Sequence, residues 1–289
     1  MRTIKTVQSA FKINMGGIIL DQALPNNQYD DIDPFLLIHH MKLEHQGGEK
    51  QKHVGVGPHP HRGFSPITFV FKGAVHHRDS LGNDSVVSEG GAQWMNSGKG
   101  IVHSERPTKE IAENGGTMEI IQFWVNSPAK HKMDPAVYHP FHAQDIPKIF
   151  SEDKSIDIGV FSGDFMGVTG PAKGKSELIC LTIQFEKGNP MDMHIPKSHN
   201  LLYYQLDGKA VLNGEHEINE KQLAVFDNHE ESFTFQGSEK GRGVLLAGVP
   251  IQEKIVAQGP FVMNNEGELM AAIRDYQMGK MGILIEEFD

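Results

Sequence analysis

Short apolar segments separated by turn residues run through the first half of the chain. Their β-branched and aromatic residues, in compact runs or alternating with polar ones, are typical of β-strands. These segments are ITFVF, AVHHRD, DSVVSE, AQWM and MEIIQFWV. The stretch SLGND lies between the second and the third, and its Gly82 and Asn83 can take positive φ, so we predict a hairpin turn there.

The second half of the chain repeats this pattern. Its predicted strands are ELICLTIQFE, LLYYQLDG, KAVLNG, QLAVFD, SFTFQ and GVLLAGVP. Many short antiparallel strands favour a sandwich or a barrel. A weak internal repeat, TFVFKGAVHHRDSLG against YYQLDGKAVLNG, places Gly73 opposite Gly208. We therefore predict an all-β protein built from two related barrels.

The predicted domain boundary lies at residue 130. Residues 1–130 are expected to form the first barrel, which carries the candidate chemistry described below. Residues 131–289 are expected to contain a crossing segment, the second barrel and a terminal helix. We place the crossing within residues 127–175, where prolines and the run GVFSGDFMGVTGPAKGK interrupt the strand pattern.

A short helix is predicted near the end of the chain, in NNEGELMAAIRDYQMGK. Asn264 or Asn265 is the candidate N-cap. Leu269, Ile273 and Tyr276 recur at helical spacing. We expect this amphipathic helix to pack on a barrel face as a structural element.

Composition and charge narrow the class of protein. The chain has 289 residues, enough for one large or two medium domains, and 38% of them are hydrophobic and 22% charged, as in ordinary globular proteins. The net charge of −10 argues against a broad nucleic-acid surface, because phosphate binding needs clustered Lys and Arg. No run approaches the roughly 18 apolar residues of a membrane span, and the first residues lack the apolar core of a secretory signal, so we expect a cytoplasmic protein.

Cys180, the single cysteine, lies in the apolar run ELICLTIQF and is expected to be a buried thiol.

Two pairs of polar residues carry the candidate chemistry. His59 and His61 stand one residue apart in GPHPHRGF, and His103 and Glu105 do so in GKGIVHSE. In an extended strand, residues i and i+2 point to the same side, so each pair can converge, and two facing strands would offer four donors. This mixed N/O set suits iron(II), manganese, nickel, copper or zinc, and the absence of cysteine ligands argues against a structural zinc site. An octahedral ion would keep two positions open.

The backbone around these pairs favours a preformed site. Pro58 and Pro60 fix φ on each side of His59, and Gly98 and Gly100 allow a sharp turn before the second pair. An isolated HPH is more often a chance surface pair. Its coupling to HSE in an all-β setting favours the metal site.

Six segments together resemble the pirin family of the cupin superfamily. They are DPFLLIHH, HPHRGF, HRDSLGN, QWMNSGKGIVHSE, FWVNSPAKHKM and GPFVMNNEGELMAAIRDYQ. The resemblance covers essentially the whole chain and implies an all-β bicupin fold, two jelly-roll barrels with a short C-terminal helix and one metal site in the N-terminal barrel. The family's ligands fall on His59, His61, His103 and Glu105, the same four residues that the spacing selects.

The chain departs from the family pattern at two places. Pirins commonly carry Glu after HPHRGF, where this chain has Ser65 followed by Pro66. They often carry Asp after FLLL or FLLF, where this chain has His39. We expect these changes to alter the polarity of the pocket and the handling of substrate more than metal binding.

The second barrel is expected to lack a metal. Counting from the aligned glycines places His194 opposite the first ligand, but Pro196, Phe233 and Phe235 fall at or near the other three positions. A surface site of His194 and His199 is a minor alternative. We expect this barrel to be a support, an interaction surface or a wall of the cleft.

Two classes of function share these ligands. The resemblance to bacterial pirins that are similar to quercetin dioxygenases implies a metal-dependent dioxygenase, which uses dioxygen to open the central ring of a flavonol and releases carbon monoxide. Iron(II) is the first choice of metal, a Lewis acid lowers the pKa of the flavonol 3-hydroxyl, and Glu105 is the candidate base. The alternative is a non-catalytic iron-binding regulator of a transcription factor or metabolic enzyme, as other pirins are. An isomerase or another metal enzyme on the same scaffold is a third, lesser alternative.

Overall fold

The computed structural model describes residues 1–288, and Asp289, the last residue of the predicted second domain, lies outside them. Short β-strands make up most of this structure. Those of the first half are β1 Ile4–Ser9, β2 Phe11–Met15, β3 Ile18–Leu24, β4 Phe35–His45, β5 Val56–His61, β6 Phe64–Lys72, β7 Ala74–Asp79, β8 Asp84–Ser88, β9 Ala92–Asn96, β10 Ile101–Pro107, β11 Gly116–Asn126 and β12 Val137–Phe141. The later strands are β13 Lys148–Phe150, β14 Ile156–Ser162, β15 Asp164–Phe165, β16 Val168–Thr169, β17 Leu178–Phe185, β18 Met191–His194, β19 Asn200–Asp207, β20 Ala210–Leu212, β21 His216–Ile218, β22 Gln222–Phe226, β23 Ser232–Gly237, β24 Gly241–Gly248, β25 Val256–Gln258 and β26 Phe261–Met263. The α-helices are α1 Lys109–Asn114 and α2 Glu266–Gln277, and three 3₁₀ turns span Gln51–His53, Ala129–His131 and Ala143–Asp145.

The chain divides into two compact units whose segments interleave. The C-unit comprises residues 1–13, 21–36 and 144–250, and the N-unit comprises residues 14–20, 37–143 and the chain from Ile251 onward. This division differs from a single boundary at residue 130. Its physical reason is long-range strand pairing and packing: β1 pairs with β22 in the C-unit, and the chain after Ile251 packs in the N-unit.

The C-unit contains two main sheets, with strand orders β1-β22-β19-β24-β17-β14-β13 and β18-β23-β20-β21. Strand β14 lies in the segment expected to be a crossing, yet it is a core strand that pairs with β17. Ile156, Ile158 and Val160 on this strand are fully buried, so the segment contributes to the barrel rather than only linking two barrels. Cys180 is also fully buried and free, as predicted, and burial raises the pKa of its thiol.

The N-unit is built on two main sheets, with strand orders β12-β9-β6-β11-β4-β3-β2 and β5-β10-β7-β8, of which it holds only residues 14–15 of β2, 18–20 of β3 and 37–45 of β4. Buried apolar side chains of β6 and β11 fill its interior, among them Phe64, Phe69 and Phe123. All five strand segments predicted in the first half are confirmed as β6, β7, β8, β9 and β11. Gly82 has φ of 89° in the predicted turn between β7 and β8.

The two aligned glycines occupy equivalent positions in the two units. Gly73 lies between β6 and β7 and Gly208 between β19 and β20, with φ of 72° and 68°. A Cβ at Gly73 would lie 2.3 Å from the carbonyl oxygen of Thr117, and one at Gly208 would lie 2.1 Å from that of Lys240. The same conformation and the same close approach to a carbonyl support the predicted duplication.

Helix α2 begins where it was predicted. The side chain of Asn265 caps it by accepting a hydrogen bond of 3.0 Å from the amide of Glu268. Leu269 packs in a cluster with Val102, which lies beside the ligand candidates on β10, so the helix covers a barrel strand as expected. Tyr276 is 39% exposed and therefore lies outside the predicted buried stripe. Within residues 1–288, neither helix has the length and apolar character that a membrane crossing requires.

Candidate metal centre

Three histidines converge inside the N-unit. His59 and His61 lie at the end of β5, which pairs antiparallel with β10 and places His103 directly opposite His59. One ring nitrogen from each of the three lies within 4.8 Å of the others. The i, i+2 spacing on β5 and the cross-strand pairing therefore place three imidazoles around one point, as predicted.

The buried ring nitrogens of this group match a metal site. His61 and His103 are 2% and 1% exposed. Both ring nitrogens of His61 and the Nε2 of His103 have no hydrogen-bond partner among the described residues. Buried polar atoms are nearly always paired, so a bound cation would account for one unpaired nitrogen of each ring, the one that carries the lone pair.

Burial also keeps these two rings neutral. It lowers the pKa of His61 well below its ordinary value, and the neighbouring His59 lowers it further, while the carbonyl of Pro260 acts in the opposite direction. Burial lowers the pKa of His103 in the same way, followed by the effects of His59, His61 and His77. Neutral imidazole is the form that binds metals.

His59 is held in one tautomer by its own strand. Its Nδ1 lies 2.8 Å from the carbonyl oxygen of Gly57. That oxygen can only accept, so Nδ1 carries the proton and Nε2 is left with the lone pair. The turn before the second pair also has the predicted form, with φ of 45° at Gly98 and 125° at Gly100.

Glu105 is not part of the converging group. Its side chain, 8% exposed, accepts hydrogen bonds from Gln93 Nε2, from Gln122 Nε2 at 2.8 Å and from Thr68 Oγ1 at 3.3 Å. These donors come from β9, β11 and β6, so the opposite sheet positions this carboxylate. The role of Glu105 as a fourth ligand stays a prediction.

A mainly apolar cavity lies beside Glu105. Its interior volume is about 40 Å³, and it opens to solvent. Its lining consists of apolar side chains with three polar ones, namely Met15, Leu20, Met41, Val56, Val75, Met118, Ile120, His39, Glu105 and Gln122. The cavity therefore brings an apolar surface to the carboxylate of Glu105.

The two departures from the family pattern have different environments. His39 lines the cavity, and burial lowers its pKa to about 4, so this side chain is neutral near pH 7. Ser65 is 4% exposed and its Oγ lies 3.4 Å from Asn96 Oδ1. Pro66 pairs with Trp124 across β6 and β11. Only His39 among these residues contributes to the cavity wall.

The C-unit has apolar residues where the N-unit has ligands. Phe233 and Phe235 on β23 are fully buried. His194 is exposed, whereas its neighbour Met193 is buried and pairs with Phe233, so these two side chains lie on opposite faces of β18. His199 is 1% exposed, and within residues 1–288 the three N-unit histidines form the one group of this kind.

Residues outside the predicted set support the site. Gln93 and Gln122 hold Glu105, and His77 lies next to His103. The motif HRDSLGN contains His77, but its spacing carries no indication that β7 would lie against β10. Lys132, 1% exposed, donates to the carbonyl oxygen of Gly63 at 2.7 Å, just after the HPH segment.

Comparisons with known proteins agree with this architecture. The chain matches the family Pirin over residues 17–125 and the Pirin C-terminal cupin domain over residues 180–282. A Pseudomonas aeruginosa protein named "Putative quercetin 2,3-dioxygenase" is 33% identical over 249 residues, which cover 86% of this chain and 86% of its own.

Two solved structures share the fold. Quercetin 2,3-dioxygenase from Acinetobacter baumannii superposes with a TM-score of 0.92 at 31% identity, covering 99% of this chain and 100% of its own. A bacterial pirin from Escherichia coli, solved in complex with nickel(II), has a TM-score of 0.65 at 19% identity over 85% of this chain and 98% of its own. The predicted all-β bicupin fold is confirmed.

Proposed function

The chain belongs to the pirin family, and on this premise we propose that it is a metal-dependent dioxygenase that opens the central ring of flavonols such as quercetin. The observation that carries the proposal is the convergence of three imidazoles, two of them buried with unpartnered nitrogens. An apolar cavity lies beside Glu105, two residues from His103 on the same strand. The likeness to a quercetin 2,3-dioxygenase over 99% of the chain supports it.

The proposed ligands are His59, His61, His103 and Glu105. The three histidines fit a transition metal, since their donor atoms lie close together and two of the rings are held neutral by burial. Iron(II) is the proposed ion, with manganese, nickel, copper and zinc as alternatives for the same N/O set. When bound, it would supply Lewis-acid polarisation of the flavonol 3-hydroxyl and a place for dioxygen.

Glu105 is proposed to take the proton of the flavonol 3-hydroxyl. Its carboxylate borders the cavity, which would have to widen to admit an aromatic ring in contact with it. Gln93, Gln122 and Thr68 hold the carboxylate in place before substrate arrives, which reduces the reorganisation needed during proton transfer. The apolar wall and neutral His39 favour a flat, uncharged ring system.

The test is oxygen-dependent loss of quercetin absorbance with iron-loaded protein. Glu105→Gln keeps a neutral oxygen donor of similar shape but removes the basicity, so it should slow turnover by at least tenfold while lowering metal content much less. Glu49→Gln, which changes an exposed glutamate, is the matched control and should turn over like wild type. Fully iron-loaded wild type that consumes no more quercetin than free iron would overturn the proposal for this substrate.

That negative result would favour the second class. A non-catalytic iron-binding regulator would retain the same histidines and would bind a protein partner only when the metal is present. Retention of such a partner by iron-loaded protein, and its loss with His103→Ala, would identify that function.

A further inference from the structure

Three buried side chains, Asp79, His77 and the ligand candidate His103, contact one another in series. The Nδ1 of His103 lies 3.4 Å from the Nδ1 of His77, and the Nε2 of His77 lies 3.0 Å from Asp79 Oδ2. His77 is fully buried and Asp79 is 3% exposed. Strands β7 and β10 pair here, with Asp79 opposite His103, so the arrangement is built on regular backbone.

The position of each proton follows from the donors and acceptors. Asp79 also accepts from the amides of Leu81 at 2.9 Å and Asn83 at 3.1 Å, which identifies its side chain as the acceptor in this group. His77 must then donate from Nε2, so its Nδ1 holds a lone pair. That lone pair accepts the proton of His103 Nδ1, and Nε2 of His103 is left to face the other two ligand candidates.

Tyr138 connects the same histidine to Glu105. Its ring stacks on His77 with centroids 3.7 Å apart and an interplanar angle of 3°. Its hydroxyl donates to Gln93 Oε1 at 3.1 Å, and the amide nitrogen of Gln93 donates to Glu105. The ring of Tyr138 therefore fixes the plane of His77, and its hydroxyl supports the Glu105 carboxylate through Gln93.

We propose that His77 and Asp79 are positioning residues that set the tautomer and the orientation of His103 for metal binding. An imidazole takes the place that a carboxylate or a backbone carbonyl usually has behind a metal-bound histidine. This inference rests on the metal site of the proposed function, but it does not require that the protein turn over a flavonol.

Two replacements of nearly equal shape separate positioning from packing. His77→Asn keeps an acceptor oxygen near the place of Nδ1, and His77→Leu fills the space with apolar atoms. If His77 only packs the core, the leucine variant should be the milder change, because it buries no unpaired polar group. If His77 orients His103, the asparagine variant should be the milder change for metal binding.

The measurement is the dissociation constant for cobalt(II), obtained by competition with a chromophoric chelator, together with the visible absorption bands of the bound ion. We expect His77→Leu to weaken binding by about 10- to 100-fold and to shift the bands, and His77→Asn to stay within a few-fold of wild type. Asp79→Asn should weaken binding in the same direction. Asp84→Asn is the matched control, since Asp84 is 62% exposed and pairs with His76 and Arg78 outside this chain of contacts.

Thermal unfolding of each metal-free variant establishes that it is folded before its affinity is compared. Cobalt(II) binding by His77→Leu that equals wild type, or equal losses in the leucine and asparagine variants, would overturn the proposal. Wild-type protein that binds cobalt(II) but, when fully loaded with iron, consumes no more quercetin than free iron would reject the dioxygenase function for this substrate and leave this inference intact.

Discussion

Gly63→Ala is expected to destabilise the protein far more than an alanine placed at an open glycine of similar conformation. Gly63 follows the HPHR segment with φ of 88°, and a Cβ there would lie 2.0 Å from the carbonyl oxygen of Val262. Gly48 has φ of 78° and no atom within 4 Å of its added Cβ. Gly48→Ala is therefore a control that carries the same backbone strain without the clash.

The expected magnitude follows from two contributions. Alanine in the left-handed region costs about 1–2 kcal/mol at either position. A carbon and an oxygen need a separation of about 3.3 Å, so at Gly63 the Val262 carbonyl must move by more than about 1 Å. That movement breaks its hydrogen bond of 3.0 Å from Lys132 Nζ. A buried group left unpaired adds about 1–3 kcal/mol, so Gly63→Ala should cost about 2–5 kcal/mol in total.

The assay is urea unfolding of the metal-free proteins, with the free energies of unfolding compared at one pH. Gly63→Ala should also lower metal affinity, because the ligand candidate His61 lies only two residues before the strained position. Gly48→Ala should leave metal affinity unchanged. Equal destabilisation by the two substitutions, within about 0.5 kcal/mol, would mean that the close approach of Val262 does not require a glycine at position 63.

Three further predictions concern the metal, the cavity and the buried lysine. Elemental analysis should find one transition metal per chain, lost in His61→Ala and retained in His194→Ala and His199→Ala; two metals per chain that survive His61→Ala would contradict the single site. Burial lowers the pKa of His39 from 6.5 to about 4 in the folded protein. As the pH falls from about 6.5 towards 4, His39 therefore becomes protonated in the unfolded chain but not in the folded one, and the free energy of unfolding falls. His39→Gln should therefore reduce the loss of unfolding free energy between pH 7 and pH 4.5 by about 2–3 kcal/mol in metal-free protein, and an unchanged loss would argue against a buried neutral His39. Lys132→Met should lower the free energy of unfolding by about 2–4 kcal/mol, because it leaves the carbonyl oxygens of Gly63 and Val262 and the Asn126 Oδ1 without their buried donor. A loss below about 0.5 kcal/mol in urea unfolding would show that these acceptors find other partners.

The three histidines could be predicted from the sequence because their geometry is local. His59 and His61 share a face of one strand whatever the rest of the fold does, and a second pair with the same spacing suggested the facing strand. The family resemblance selected the same residues independently. That Phe233 and Phe235 cannot be metal ligands followed from residue type.

The remaining features depend on contacts between distant parts of the chain. Nothing local to Glu105 indicates that Gln93 and Gln122 will hold it, since they lie on two other strands. Counting along the sequence could not show which face of β18 carries His194, because a slip of one residue exchanges the two faces of a strand. The interleaved units could not be read from composition, because the pairing of β1 with β22 joins segments that are far apart in sequence.

The most direct test of the proposed function is the carbon monoxide formed when iron-loaded protein and quercetin are mixed in air-saturated buffer. We expect about one molecule of carbon monoxide per flavonol consumed, none under nitrogen, and none above free iron with His103→Ala. Fully iron-loaded wild-type protein that releases no carbon monoxide above the free-iron control would contradict the proposed function.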